Sequence, residues 1–300
     1  MLHPARRPLA TLVAAISLFM FFRSVMPAAP AVPDKLVVLT FDDSSASHYA
    51  VARPVLKRYG FGATFFITEG FTFPTNKKDY LTWGQIAELH RDGFEIGNHT
   101  RDHLGITEKN VGKLAEQLAV IADRCREHGI PAPVSFAWPG NKFHVTALPV
   151  LQAAGIRFAR RGSEPEVPYA AGGGVAYEPG ADHPLLIPTT GDARPTWSLE
   201  NLQRAVAFAR DGRIAVLQFH GVPDGEHPWV NTPRERFEEY MAWLHAEGFT
   251  VIAMRDLARY VDEKSLPANP LEIMERRKSA APPTAVAPTS ATAPATRLPK

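Results

Sequence analysis

Short apolar runs alternate with amphipathic segments along most of the chain. The runs are bounded by turn-forming residues and are rich in Val, Ile, Phe and Leu, which is typical of buried strands. Strands are predicted at 36–41, 64–67, 94–97, 134–136, 156–158, 185–187, 214–219 and 250–252. Helices are predicted between them, at about 50–59, 82–91, 111–128 and 232–245. Alternating strands and helices pair their strands in parallel, so the pattern predicts an α/β fold, a distorted (β/α) barrel of seven or eight units.

The amino-terminal end departs from this pattern. Arg6 and Arg7 precede an apolar run at 9–22, and small residues follow as far as Ala31. This arrangement is typical of a secretory signal peptide. The run is shorter than the roughly 20 residues that span a membrane, which favours cleavage after Ala31 over an uncleaved anchor. We therefore expect residues 1–31 to be a signal peptide or an N-terminal anchor. The protein is then exported, in the periplasm, secreted or associated with the cell envelope, with membrane association if the anchor is kept.

The carboxy-terminal end departs from it as well. Residues 279–299 are almost entirely Ala, Pro, Thr and Ser, a composition that cannot form a packed core. We predict a disordered tail at 263–300. The catalytic domain is then expected at 34–262, a usual length for one domain.

Composition and charge narrow the function classes. Hydrophobic residues make up 45% of the chain and the formal net charge is only +2, with basic residues scattered. This excludes the basic surface of a nucleic-acid-binding protein. Cys125 is the only cysteine, so no intramolecular disulfide forms and any metal must be held by histidine and carboxylate. Nothing in the sequence indicates a protein partner.

Five polar residues lie at or shortly beyond the ends of predicted strands. Asp42 and Asp43 follow the first strand, His99 and His103 follow the third, and His220 ends the strand at 214–219. In an α/β barrel the carboxyl ends of the strands meet at one rim and carry the active residues. We expect these side chains to converge there.

Their chemistry fits a hydrolytic metal site. Two histidines four apart, on one face of a helical turn, can share a metal, and Asp43 completes a His₂Asp set with open positions. One divalent metal is expected; zinc suits this set, with cobalt, nickel and manganese as alternatives. Asp42 is then placed to take a proton from water and His220 to protonate a leaving amine. Each signal alone also fits a solvated turn, a surface pair or a core histidine, and the combination favours the metal site.

Three motifs together resemble a known family. They are TFDD at 40–43, HTRDH at 99–103 and LQFH at 217–220, and they are similar to those of polysaccharide deacetylases with a NodB-type domain, carbohydrate esterase family 4. The resemblance implies the NodB-type deacetylase fold. It also implies metal-dependent removal of N-acetyl groups from an exported or cell-wall polysaccharide or oligosaccharide. Asp43, His99 and His103 are then the metal ligands, Asp42 the base and His220 the acid.

Two features depart from the family's pattern. The family's third motif has an arginine that orients the base, but the segment FAWPGN at 136–141 has Ala137 in its place. Arg160 or Arg161, after the next strand, is the candidate replacement. Gly140 still offers a backbone N–H to an oxyanion.

The second departure concerns the aspartate that tunes the acid histidine in this family. Asp192 is one candidate for that role and Asp182 is its rival. His227 lies close enough in sequence to His220 to line the site, although a loop position is favoured.

Two other functions fit the same residues. One is hydrolysis of a non-carbohydrate amide, such as a cyclic imide or ureide, and the other is a non-catalytic carbohydrate-binding wall protein. Trp138, Trp197 and Trp229 are candidates for stacking on sugars, and packing is favoured for at least two of them.

Overall fold

The computed structural model describes residues 31–171 and 173–280. The predicted signal peptide or anchor therefore lies outside the described residues except for Ala31, and so does the predicted tail beyond residue 280. Within the described ranges, no helix has both the length and the apolar character needed to cross a membrane.

The strands form one parallel sheet. They are β1 (Leu36–Phe41), β2 (Thr64–Ile67), β3 (Glu95–Asn98), β4 (Ser135–Ala137), β5 (Phe158–Arg160), β6 (Gly191–Asp192), β7 (Ala215–Phe219) and β8 (Thr250–Ile252). Their order is β5-β4-β3-β2-β1-β7-β6, and β8 pairs with the first half of β1. Ile187 also pairs with Arg160 of β5, so the segment leading into β6 brings the two ends of the sheet together. The predicted α/β distorted barrel is confirmed.

Helices cover the outside of the sheet. They are α1 (Arg53–Tyr59), α2 (Trp83–Arg91), α3 (Leu114–Glu127), α4 (Leu148–Ala153), α5 (Leu199–Val206), α6 (Arg234–Ala246) and α7 (Glu272–Ala280). Helix α2 begins where the sequence predicts, because the Thr82 side chain accepts a hydrogen bond from the Gln85 N–H in a capping box. Helices α4, α5 and α7 were not predicted, and the strand expected at 185–187 is reduced to a single bridge at Ile187.

Side chains alternate between the two faces of each strand, and this alternation positions the site. Leu36 and Val38 of β1 pack in a cluster that also holds residues of β2, β4, β5, β7 and β8, which identifies the barrel interior. Val37 and Leu39 pack in the cluster that includes the outer helices. Successive residues of a strand point to opposite faces. Asp42, two positions after the buried Thr40, therefore continues the inward-facing row at the carboxyl end.

Helix α7 corrects the predicted boundary at residue 262. Ile273 and Met274 are buried against the domain. Arg277 donates to both carboxylate oxygens of the buried Asp182, at 2.8 and 2.9 Å. The expected disordered tail is therefore wrong for residues 272–280, because composition alone does not show that an apolar pair and an arginine attach this segment to the domain.

Replacing Arg277 with methionine tests this attachment. The variant leaves the Asp182 carboxylate buried without its bidentate partner, and we expect the free energy of unfolding to fall by about 3 kcal/mol. Urea denaturation measures the change. Arg276→Met, on the exposed side of the same helix, is the matched control and should stay within about 0.5 kcal/mol of the parent. Equal stability of both variants would show that the Arg277–Asp182 pair contributes nothing to the attachment of α7.

Candidate metal-binding active site

The structure brings the predicted site residues to one cavity at the carboxyl ends of the strands. The cavity has a volume of about 190 Å³. All six side chains or backbone groups singled out from the sequence line it: Asp42, Asp43, His99, His103, Gly140 and His220.

Three of them form a cluster suited to a cation. The ligand atoms of Asp43, His99 and His103 all lie within 4.8 Å of one another. Asp43 Oδ1 is 3.4 Å from His99 Nε2 and 3.3 Å from His103 Nε2. His99 Nδ1 lies 2.8 Å from the Ala137 carbonyl oxygen, to which it donates, so Nε2 of the neutral ring is an acceptor that faces a carboxylate oxygen. Acceptors that face each other need a proton or a cation between them, and these residues therefore fit a metal.

The charges of the cluster lead to the same conclusion. Burial raises the pKa of Asp43, but the close His99 imidazole and the nearby His220 and His103 together hold this pKa well below its ordinary value. Burial and the neighbouring His99 lower the pKa of His103 to about 4. Burial also lowers the pKa of His99, and the carboxylates of Asp42 and Asp43 outweigh it and raise the pKa. The cluster thus combines a carboxylate, a neutral imidazole and an exchangeable proton, which is the state that a binding metal displaces.

The backbone of the two histidines differs from the expected helical turn. Thr100 and His103 both have left-handed backbone angles, with φ of 58° and 53°, and no helix covers residues 99–103. The turn is held instead by hydrogen bonds from Thr100 N–H to Asn98 Oδ1 and from Leu104 N–H to Thr100 Oγ1. Residues 99–103 therefore form a compact loop, and this loop brings both imidazoles next to the Asp43 carboxylate.

Asp42 has one oxygen fixed and one without a partner. Its Oδ2 accepts hydrogen bonds from Arg160 Nη2 and, at 3.3 Å, from Gln218 Nε2. Its Oδ1 is buried and has no hydrogen-bond partner among the described residues. Burial raises the pKa of Asp42, but Arg160, His99 and His220 bring it below its ordinary value. The side chain is therefore a held carboxylate with one acceptor oxygen available.

Arg160, rather than Arg161, stands beside the vacant arginine position. Ala137 and Arg160 are direct partners in the register of β4 and β5. Arg160 follows the inward-facing Phe158 and also donates to Gln218 Oε1 at 2.5 Å. Arg161 points the other way and pairs with the buried Glu166. The small Ala137 side chain thus leaves space for an arginine contributed by the neighbouring strand.

His220 lies at the end of the inward-facing row of β7, and its Nε2 is 3.9 Å from Asp43 Oδ2. Its Nδ1 has no hydrogen-bond partner among the described residues. Neither candidate aspartate therefore bonds to it: Asp192 pairs with Arg194 at 2.9 Å, and Asp182 is held by Arg277 of α7. Neither of the two candidate aspartates therefore orients His220 through a direct hydrogen bond, although Asp192 Oδ1 has no hydrogen-bond partner among the described residues.

Other residues of the cavity were missed or left open by the sequence. Gln218 is a polar residue in a buried strand, a signal that was available, whereas Phe71 and Tyr169 come from loops without a pattern. His227 lines the cavity, although a loop position was favoured for it. Trp138 and Trp197 are buried in packing positions. Trp229, in contrast, is 63% exposed and lines the cavity.

The fold and the site together indicate which class of protein this is. The chain is a parallel half-barrel protein whose rim carries an Asp-His-His set able to hold a metal, beside a second carboxylate and a third histidine.

Comparison with known proteins gives the family. Residues 29–159 match the family described as "Polysaccharide deacetylase". A poly-beta-1,6-N-acetyl-D-glucosamine N-deacetylase of Staphylococcus aureus is 27% identical over 137 residues, covering 42% of this chain and 47% of its own length. The match of residues 29–159 agrees with the family that the three motifs resemble. It spans between about a quarter and a half of the length of the curated relatives that it matches.

Solved structures share the fold. A family 4 acetyl xylan esterase from Clostridium thermocellum, in complex with a cobalt ion, superposes with a TM-score of 0.51 at 20% identity, over 78% of this chain and 94% of its own. A CE4 family pseudoenzyme from Bacillus anthracis gives the same TM-score at 15% identity, over 77% of this chain and 67% of its own. Since an enzyme and a pseudoenzyme both have this fold, the question of catalysis depends on the site residues.

Proposed function

We propose that this protein hydrolyses N-acetyl groups of a carbohydrate polymer or oligosaccharide, with a divalent metal held by Asp43, His99 and His103. The observation that carries the proposal is the state of Asp42, whose Oδ2 is fixed by Arg160 and Gln218 while its Oδ1 is free to accept a proton. A protein that only binds sugars needs no such carboxylate. The pattern of residues 1–31 supports a substrate outside the cytoplasm.

Each residue of the site has its own role in the proposed reaction. A metal in this site supplies Lewis-acid chemistry, which acidifies water and polarises a carbonyl oxygen. Asp42 takes a proton from the attacking water at Oδ1 while Arg160 keeps the carboxylate in place. The water oxygen bonds to the acetamide carbon, and in this proposal the Gly140 N–H stabilises the negative charge on the carbonyl oxygen. His220 donates a proton to the nitrogen as the carbon–nitrogen bond breaks, which leaves acetate and an amine.

A panel of acetylated glycans tests the proposal. The name of the Staphylococcus aureus relative suggests poly-β-1,6-N-acetylglucosamine as the first member of the panel. A β-1,4-linked polymer of N-acetylglucosamine tests the preference for linkage. Acetylated xylan tests whether the protein hydrolyses an ester instead of an amide. Acetate release and metal content are measured on the same sample. Release from the N-acetylated glycans is the expected result, and release from xylan alone would indicate an esterase. A metal-loaded protein that releases acetate from none of them would contradict the proposal.

Asp42→Asn is the decisive variant within this test. Asparagine keeps the size of the side chain and removes the base, so kcat should fall by about 10²- to 10⁴-fold while metal content stays at the parental level. Asp79→Asn, at a loop carboxylate outside the cavity, is the control and should keep its kcat. Unchanged turnover in Asp42→Asn would remove Asp42 from the role of base.

A further inference from the structure

The cavity is too small to hold a sugar polymer. Its volume is about 190 Å³, whereas pockets that enclose a drug-sized ligand measure about 300–1,000 Å³. If the proposed function is right, the cavity takes the acetamido group and its immediate surroundings. The remaining sugar rings must then lie across the mouth of the cavity, where their contacts would determine substrate length.

Aromatic side chains are exposed at this mouth. Among the described residues, four large hydrophobic side chains are exposed: Phe71, Phe208, Trp229 and Leu266. Phe71 and Trp229 are 47% and 63% exposed, and both line the cavity. Exposed apolar groups that gather at one concave site mark a binding surface more often than scattered ones do.

Phe71 is held in an unfavourable backbone conformation. Its φ is 57°, in the left-handed region that bulky residues rarely adopt. The preceding Gly70 packs directly on the 99–103 turn, since an added Cβ would lie 2.9 Å from the Asp102 carbonyl carbon. The Phe71 ring consequently stands 4.6 Å from the His103 ring, measured between centroids. Backbone strain of this kind is concentrated at functional sites.

A polar group lies between the two aromatic rings. The His227 ring is 4.7 Å from the Phe71 ring and 5.4 Å from the Trp229 ring. His227 Nδ1 lies 3.4 Å from Asp224 Oδ1, and that carboxylate also accepts hydrogen bonds from the N–H groups of Glu226 and His227. The imidazole is therefore oriented by one nitrogen, and its Nε2 remains available to a ligand.

Arg194 connects the Trp229 backbone with Tyr169. The Arg194 guanidinium rests 3.9 Å from the centre of the Tyr169 ring and donates to the Trp229 carbonyl oxygen at 3.4 Å. Tyr169 also lines the cavity. The mouth thus offers aromatic faces for the apolar face of a pyranose ring and one oriented imidazole, that of His227, for its hydroxyl groups.

We propose that Phe71, His227 and Trp229 form a subsite for a pyranose ring next to the one that loses its acetyl group. The inference rests on the proposed function and extends it: the substrate is an oligomer or polymer, and a single sugar occupies the cavity without this contact. Aromatic stacking on Phe71 and Trp229 supplies affinity, and His227 Nε2 hydrogen-bonds a ring hydroxyl.

Kinetics on substrates of two lengths tests the subsite. The probes are the monomer of N-acetylglucosamine and two of its tetramers. One tetramer has β-1,6 linkages and the other has β-1,4 linkages. For Phe71→Gly and for Trp229→Ala, KM for the tetramer should rise by about five- to tenfold, and by a clearly larger factor than KM for the monomer. Phe208→Ala removes an equally exposed phenylalanine outside the cavity and should change neither constant.

Thermal unfolding separates binding from structural damage. Glycine accepts the backbone conformation of position 71 without strain, so Phe71→Gly should melt at or above the temperature of the parent while its KM rises. A tetramer KM that stays at the parental value in both variants would overturn the subsite, even with acetate release intact.

Failure of the proposed function gives a different result. If the parent releases no acetate from any glycan, calorimetric titration with the two tetramers decides the matter separately. Binding that Trp229→Ala weakens, and Phe208→Ala does not, would support the subsite without the hydrolysis. Absence of binding to either tetramer would overturn it.

Discussion

Replacing His99 or His103 with alanine should abolish the uptake of a divalent metal and lower acetate release by more than about a hundredfold. Changes to the outer partners of metal ligands already cost about 10- to 100-fold in affinity or activity, and loss of a ligand costs more. His99 is also buried and held in place by the Ala137 carbonyl oxygen, to which its Nδ1 donates. Metal content of the purified protein and acetate release measure the two effects together.

The control for this prediction is His128→Ala. His128 is exposed at the end of α3 and lies outside the cavity, so its removal should leave both metal content and activity at the parental level. A His99→Ala or His103→Ala protein that retains full metal and turnover would show that the Asp-His-His cluster is not the metal site.

Replacing Arg160 with methionine should have the largest effect on stability. Methionine is similar in length but uncharged, so the buried Asp42 carboxylate loses its ion partner. Breaking a buried pair in this way costs about 3–5 kcal/mol. The carboxylate also loses the contact that orients it, and kcat should fall about tenfold or more. Chemical denaturation and steady-state kinetics measure the two changes.

The adjacent arginine separates the two effects. Arg161 and Glu166 form an equally buried pair on the other face of the strand. Arg161→Met should therefore lose stability by a similar amount but keep its kcat. If both variants keep kcat, or lose it equally, Arg160 has no specific role in holding Asp42.

The different roles of Arg160 and Arg161 show which parts of the site can be predicted from the sequence. Alternation along a strand places residues of equal parity on one face, and Phe158 is apolar in a row that Arg160 continues. The same alternation places Gln218 and His220 on the inner face of β7. The barrel, its inward rows and their convergence were therefore available from the apolar pattern. The pairing of Ala137 with Arg160 was not, because register between β4 and β5 depends on the packing of both strands.

Features built by long-range contacts were beyond the sequence. The left-handed turn at 99–103 depends on Asn98 and on the Gly70 loop that packs on it. Helix α7 is attached through Arg277 to an aspartate that is 95 positions away in the chain. The aromatic mouth comes from two loops whose proximity only the folded barrel creates. Spacing along the chain reports local periodicity and gives no information on such contacts.

The left-handed backbone positions have a consequence for protein engineering. Among the described residues, eight other than glycine have positive φ, and six of them belong to segments around the cavity: Asp43, Ser44, Phe71, Thr100, His103 and Asn141. Each such position costs about 1–3 kcal/mol, which glycine would relieve. Directed evolution for heat resistance alone would thus favour replacements in and around the active site. Screens for robust variants therefore need a turnover threshold in every round, since the most accessible gains in melting temperature lie where catalysis is most easily lost.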